Sequence, residues 1–271
     1  MVNEEFLVLI LIFILGAIAG SFINCLCWRI NQGETIMGKS YCPKCRHKLG
    51  FFDLFPVLSF LFLRGKCRYC KEKISRQYPL VEILTGLAFV FVYHYTGFDV
   101  LTFDFQNIKF CELIFRWLLS VLLLTAFVYD LKYFIIPDRV VFSAIILTFL
   151  WIVAGFFLKY YTEMQVLNFL FSGLASAFLF FCLWFFSSGR AMGFGDVKLA
   201  FLLGLFLGYP VIIPALFISF FLGALIGIIL VLLRKKKMKS EVPFGPFLVM
   251  GTFIGLAWGK DILLWYLSFL K

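Results

Sequence analysis

Long, unbroken apolar runs dominate this chain and decide most of what it can become. The stretch FLVLILIFILGAIAGSFINCLCW, residues 6–28, contains no charged residue. About 20 apolar residues are enough for a helix to cross a bilayer. Similar runs lie near 78–96, 112–129, 140–158, 166–186, 199–213, 214–233 and 247–269. They are continuously apolar, whereas the strands of a membrane barrel alternate between polar and apolar residues. The expected fold class is therefore an all-α polytopic membrane protein with about eight transmembrane helices. The sixth run is short, and Pro210 and Pro214 blur its boundary with the seventh. Gly259, Lys260 and Asp261 are expected to interrupt the last. A hydrophobic content of 63% and a mean hydropathy of +0.99 exclude an ordinary soluble domain. The first run does not read as a cleavable signal peptide, because Glu4 and Glu5 precede it and it is too long.

Charge then orients the spans. The net charge is +10, and segment 29–76 holds eleven Lys or Arg against Glu34, Asp53 and Glu72. Short basic loops stay in the cytoplasm. With eight spans, 130–139, 187–198 and 234–241 fall on the same side as 29–76, and the N-terminus faces out. The run RKKKMK, 234–239, reads as an orientation signal touching anionic lipid. It is too short to suggest nucleic-acid binding.

Of eight cysteines, Cys25, Cys27, Cys111 and Cys182 lie in or beside apolar runs and read as small hydrophobes. The other four form CPKC (42–45) and CRYC (67–70). Two CxxC pairs about twenty residues apart match zinc-ribbon spacing. Each knuckle aims two thiolates at one point, so Cys42, Cys45, Cys67 and Cys70 are the expected ligands of a closed, structural zinc site. Disulfides are not expected in a reducing compartment. His47 adjoins the first knuckle as a substitute ligand or a surface histidine.

Two stretches place carboxylates at the edge of the hydrocarbon zone, where charge is costly and tends to be functional. YDLKYFIIPD (129–138) carries Asp130 and Asp138, and GRAMGFGDVK (189–198) carries Asp196. Asp130 ends the third span and Asp196 opens the sixth, both on the cytoplasmic side. If those helices pack together, one carboxylate keeps a proton. The pair could then supply a general base for water and an acid for a peptide carbonyl. Gly193 and Gly195 are expected to give Asp196 unusual backbone freedom and room for a close neighbour. Asp138 follows Pro137 and reads as a helix-start residue. The bland reading pairs Asp130 and Asp196 with Lys132 and Lys198 in water.

These motifs, in this order, resemble the type IV prepilin peptidase family. GSFINCLCWR (20–29) is similar to its GSF-x-N segment. The loop 41–86 is similar to the family's loop, including DLFPVLS, LRGKCRYC and YPLVE. YDLKYFIIPD and GFGDVKLA resemble its two aspartate motifs, and EVPFGPFL (241–248) its later PFGP segment. The resemblance implies that Asp130 and Asp196 are the peptidase pair and that Asp138 is not. It implies prepilin or pseudopilin substrates, cut after glycine at the cytosolic face of the bacterial inner membrane. It also implies methylation of the new N-terminal residue, with S-adenosylmethionine as donor. No glycine-rich loop after a strand marks a donor site, and a peptidase-only member is the alternative. The expected division is a first transmembrane helix (1–28), a cytoplasmic zinc-binding loop domain (29–77) and a membrane-embedded peptidase core (78–271). Prepilin leaders are usually basic, and so is this loop; Glu34, Asp53, Glu72, Glu82 or Glu241 would have to offset that. Glu82 is functional or interfacial. Two other classes remain open: a transporter coupling ions through the aspartates, and a membrane-anchored scaffold acting through the cysteine loop.

Overall fold

The computed structural model describes residues 2–98, 108–190, 192–233 and 242–269. Glu241 and the basic run 234–239 lie outside them. Every regular element among the described residues is helical: α1 (Val2–Gln32), a 3₁₀ turn (Phe51–Asp53), α2 (Leu58–Phe62), α3 (Gln77–Thr96), α4 (Ile108–Tyr133), α5 (Asp138–Phe157), α6 (Glu163–Phe186), α7 (Phe194–Leu207), α8 (Ile212–Leu232) and α9 (Gly245–Ser268). The chain divides into two compact units, Met1–Thr125 and Ala126–Lys271, and α4 runs from one into the other.

Among the described residues, seven helices are long and apolar enough to cross a membrane: α1, α3, α4, α5, α6, α8 and α9. The sixth expected span is α7, which covers 194–207 rather than 199–213. Its 14 residues rise about 21 Å, short of a hydrocarbon core of roughly 30 Å. Gly208 ends it at φ 65°, and α8 starts afresh at Ile212. Because α7 begins earlier than expected, Asp196 sits inside its first turn. The apolar residues of α7 surround its axis, the pattern of a helix buried on all sides. Indeed Val197, Leu199, Ala200, Leu202, Leu203 and Leu205 are all buried, against neighbours α5, α6, α8 and α9. Gly204 allows α7 to touch α6, since a Cβ there would lie 2.3 Å from the Ser172 carbonyl oxygen.

The expected break in the last span is absent. α9 runs through Gly259, Lys260 and Asp261 without interruption. Charged side chains do not remove backbone hydrogen bonds, and both are exposed.

In the first unit, α1 and α3 run antiparallel. Gly16 lies against Gly86, Gly20 against Glu82, and Asn24 Nδ2 donates to the Tyr78 carbonyl at 3.1 Å. The Trp117 indole of α4 donates to the Phe89 carbonyl and stacks on the Phe89 ring. The long loop between α1 and α3 starts from Arg29, whose guanidinium is buried and donates to the carbonyls of Thr35, Ile36 and Lys39.

Candidate active site and metal centre

The two CxxC segments fold into matching knuckles. In the first, the Cys42 N–H donates to the His47 carbonyl and the Arg46 N–H to the Cys42 carbonyl, both at 2.9 Å. In the second, the Cys67 N–H donates to Glu72 at 2.8 Å and the Lys71 N–H to Cys67 at 3.0 Å. Bridges Tyr41–Lys48 and Lys66–Lys73 close each turn at the same register. The residue after each second cysteine adopts positive φ, 56° at Arg46 and 60° at Lys71.

The four Sγ atoms lie within 4.8 Å of one another, with Cys42 and Cys70 at 4.0 Å. Tetrahedral zinc with Zn–S bonds of about 2.3 Å needs sulfurs about 3.8 Å apart, so the cluster fits with slight contraction. None of the four is in a disulfide. Burial disfavours the Cys67 thiolate, but N–H groups of Cys70 and Tyr69 outweigh it and bring the thiol down to about 7. The Glu72 amide favours the Cys70 thiolate, yet desolvation and hydrogen bonds with Cys67, Cys45 and Cys42 push this thiol up to about 11. The four sulfurs thus converge on one point, where a divalent cation would serve all of them. His47 is not among the clustered ligands; its ring packs on Tyr69 with centroids 3.7 Å apart.

Glu82 is buried near the start of α3. Its carboxylate accepts the N–H of Val57 at 2.7 Å. Val57 has φ 61°, a strained conformation for a β-branched residue. Glu82 thereby fixes the centre of the FPVLS loop, a role the sequence did not disclose.

The carboxylate site is built differently. Asp130 lies in the last turn of α4 and Asp196 in the first turn of α7. Both are buried, at 4% and 6% exposure. Among the described residues neither forms an ion pair. Each instead accepts a backbone N–H. Gly193 donates to Asp196 Oδ2 at 3.1 Å, and Gly245 donates to Asp130 Oδ2 at 3.0 Å.

Glycine shapes this site by space more than by conformation. Gly193 has φ −76°, so the expected unusual backbone is not used there. A Cβ on Gly195 would lie 3.0 Å from Ile136 Cβ. A Cβ on Gly245 would lie 2.7 Å from Asp130 Oδ2 and 3.1 Å from Ile136 Cδ1. Ile136 therefore reaches both helix starts, α7 and α9, from the short α4–α5 link. The contribution of Gly245 was missed from sequence. Its signal was the Gly245-Pro246 pair, with Pro at a helix start.

Asp138 is the first residue of α5, with Pro137 as its N-cap. It is exposed and pairs with Lys198 at 2.5 Å. Lys198 is thus directed to Asp138 rather than to Asp196. Lys132 lies over the Tyr133 ring, 5.1 Å from its centroid.

Comparison with known proteins gives two family matches. Residues 14–96 match the Bacterial Peptidase A24 N-terminal domain, and residues 117–228 match the Type IV leader peptidase family. Relatives named "Prepilin leader peptidase/N-methyltransferase" include one from Aeromonas salmonicida (strain A449), 32% identical over 87% of this chain and 76% of the relative. One from Bacillus subtilis (strain 168) is 30% identical over 95% of this chain and 97% of the relative. One from Pseudomonas aeruginosa is 28% identical over 94% and 92%. No solved structure matches.

Proposed function

Because this chain belongs to the type IV leader peptidase family, we propose that it removes the leaders of prepilin-type proteins and methylates the new N-terminus, with Asp130 and Asp196 as the catalytic pair. The observation that carries the catalytic assignment is two buried carboxylates with no cationic partner among the described residues, in the last turn of α4 and the first turn of α7, with Ile136 against the glycines beside both. A structural or ion-paired role would call for a counter-charge; Lys198 is instead taken by the exposed Asp138.

In this reading one aspartate is ionised and takes a proton from water as the oxygen attacks the glycine carbonyl. The other is protonated and donates a hydrogen bond to the carbonyl oxygen. Collapse of the tetrahedral intermediate breaks the C–N bond, and the departing nitrogen takes up a proton. Gly245 and Gly193 orient the two carboxylates through their N–H groups, while Gly195 admits Ile136 beside the pair. A substrate helix held in the bilayer would bring its peptide bond to a fixed depth, replacing a diffusive search.

The multi-pass chain is placed in the bacterial inner membrane, with its carboxylates and cysteine loop facing the cytoplasm. The charge of segment 29–76 supports this orientation. Cys42, Cys45, Cys67 and Cys70 would hold a structural zinc that closes the two knuckles into one unit, leaving no open coordination position for catalysis. The loop and core division at 29–77 and 78–271 goes with this reading. S-adenosylmethionine would supply the methyl group; the methyl transfer is left without assigned residues.

The test is product analysis in reconstituted vesicles. Wild-type protein, a prepilin-type substrate and S-adenosylmethionine should yield a fragment cut after glycine and one methyl group heavier. Without the donor, the cut should remain and the added mass should vanish. An uncut substrate would reject the reading. A cut fragment without added mass would favour a peptidase-only enzyme.

A further inference from the structure

Residues 51–62 of the cysteine loop, FFDLFPVLSFLF, present an apolar surface that neither knuckle nor carboxylate site uses. Phe51, Phe52, Phe55, Leu58, Leu61 and Phe62 are all exposed, Phe62 to 83%. The surface is preformed: the Phe51 ring lies 5.0 Å from Phe55 and 5.9 Å from Phe52. The segment contains one charged residue, Asp53. Its side chain is turned away from solvent, at 5% exposure. It accepts from the Gly50 N–H at 3.0 Å, Arg68 Nε at 2.7 Å and the Tyr69 hydroxyl at 3.2 Å, all outside the apolar face.

The depth of the segment is fixed as well. Val57, at its centre, donates its N–H to Glu82. Glu82 lies five residues into α3, a membrane-capable helix that starts at Gln77. The centre of the segment is therefore tied within about 7.5 Å of that helix's start, the zone of headgroups and upper acyl chains. Exposed basic residues flank it on both sides: Lys44, Arg46 and Lys48 before, Arg64 and Lys66 after.

We propose that residues 51–62 form an interfacial wedge, with the phenylalanines inserted at the acyl-chain boundary of an anionic leaflet and the basic flanks on its headgroups. Apolar faces with aromatic anchors and Lys or Arg borders bind membranes in this way. A second copy of the chain is a poorer occupant, because it would set the same basic flanks against each other. The wedge goes beyond the proposed reaction and does not depend on it. It would anchor the cysteine module against the bilayer in addition to its tie to α3.

The test uses the full chain in vesicles of phosphatidylethanolamine and phosphatidylglycerol. A benzophenone-bearing phenylalanine analogue replaces Phe52, Phe55 or Phe62 in turn, with the exposed, acidic Glu72, outside the basic flanks, as control. These side chains are exposed and the analogue keeps their ring, so the fold should tolerate it. After irradiation, mass spectrometry should find at least about tenfold more lipid adduct at Phe52 and Phe62 than at Glu72, as insertion of the face requires. Equal lipid yields at all positions would overturn the proposal. So would cross-links from Phe52 and Phe62 mainly to a second copy or to a substrate peptide.

Discussion

The cysteine cluster and the aspartate pair are both small groups of like residues, yet the chain builds them in opposite ways. Each knuckle closes its own hydrogen bonds within ten residues, and the two halves are near copies. The aspartate site joins distant parts of the chain: Asp130 and Asp196 lie on different helices, and although Asp196 is bonded by nearby Gly193, Asp130 is held by Gly245, 115 residues away. Local hydrogen bonds shape the first site. The second exists because α4, α7 and α9 bring their ends to one place. A locally built site should survive changes in the helical packing, and a packed site should not.

The largest effect is expected from Asp130→Asn or Asp196→Asn, each lowering leader cleavage by about 10³-fold or more. Zinc bound per chain, read by elemental analysis, should not change. Gly245→Ala comes next. Its methyl group would sit 2.7 Å from Asp130 Oδ2 and displace either the carboxylate or α9. Cleavage should fall roughly 10²-fold, the scale of a small misplacement at a reacting group, again with the metal retained. Cys67→Ser should do the reverse: bound zinc is lost and the 41–73 loop becomes protease-sensitive, while cleavage falls by less than about tenfold because the site is structural. The smallest effect is expected at Asp138→Asn. Its pair with Lys198 is 60% exposed on the aspartate side, and such pairs contribute less than about 1 kcal/mol. Thermal unfolding and cleavage should both stay near wild type.

The two sites differ in the same way in how far sequence discloses them. CPKC and CRYC name all four clustered cysteines, because the spacing of a local turn is itself the structure. Most of the spans could also be read, because bilayer thickness sets helix length. The short α7 could not be bounded. It is apolar on every face, so periodicity gives no register, and Pro210 and Pro214 lie beyond its true end at Leu207. Asp130 and Asp196 stood out as charges at the edge of apolar runs. Their surroundings did not, since nothing near Asp130 in sequence points to Gly245. The expectation for Gly193 went astray for a related reason: a glycine signals freedom or space, and sequence does not say which. Glu82 was ambiguous until its partner proved to be the backbone of Val57.

The central claim is that Asp130 and Asp196 act as catalytic carboxylates. The most direct measurement is the single-turnover rate of leader removal by Asp130→Asn and Asp196→Asn proteins in vesicles, beside wild type, with zinc content and helical signal as checks of folding. The account predicts that each folded variant binds substrate but leaves its leader uncut. A folded variant of either kind that cuts at close to the wild-type rate would contradict it.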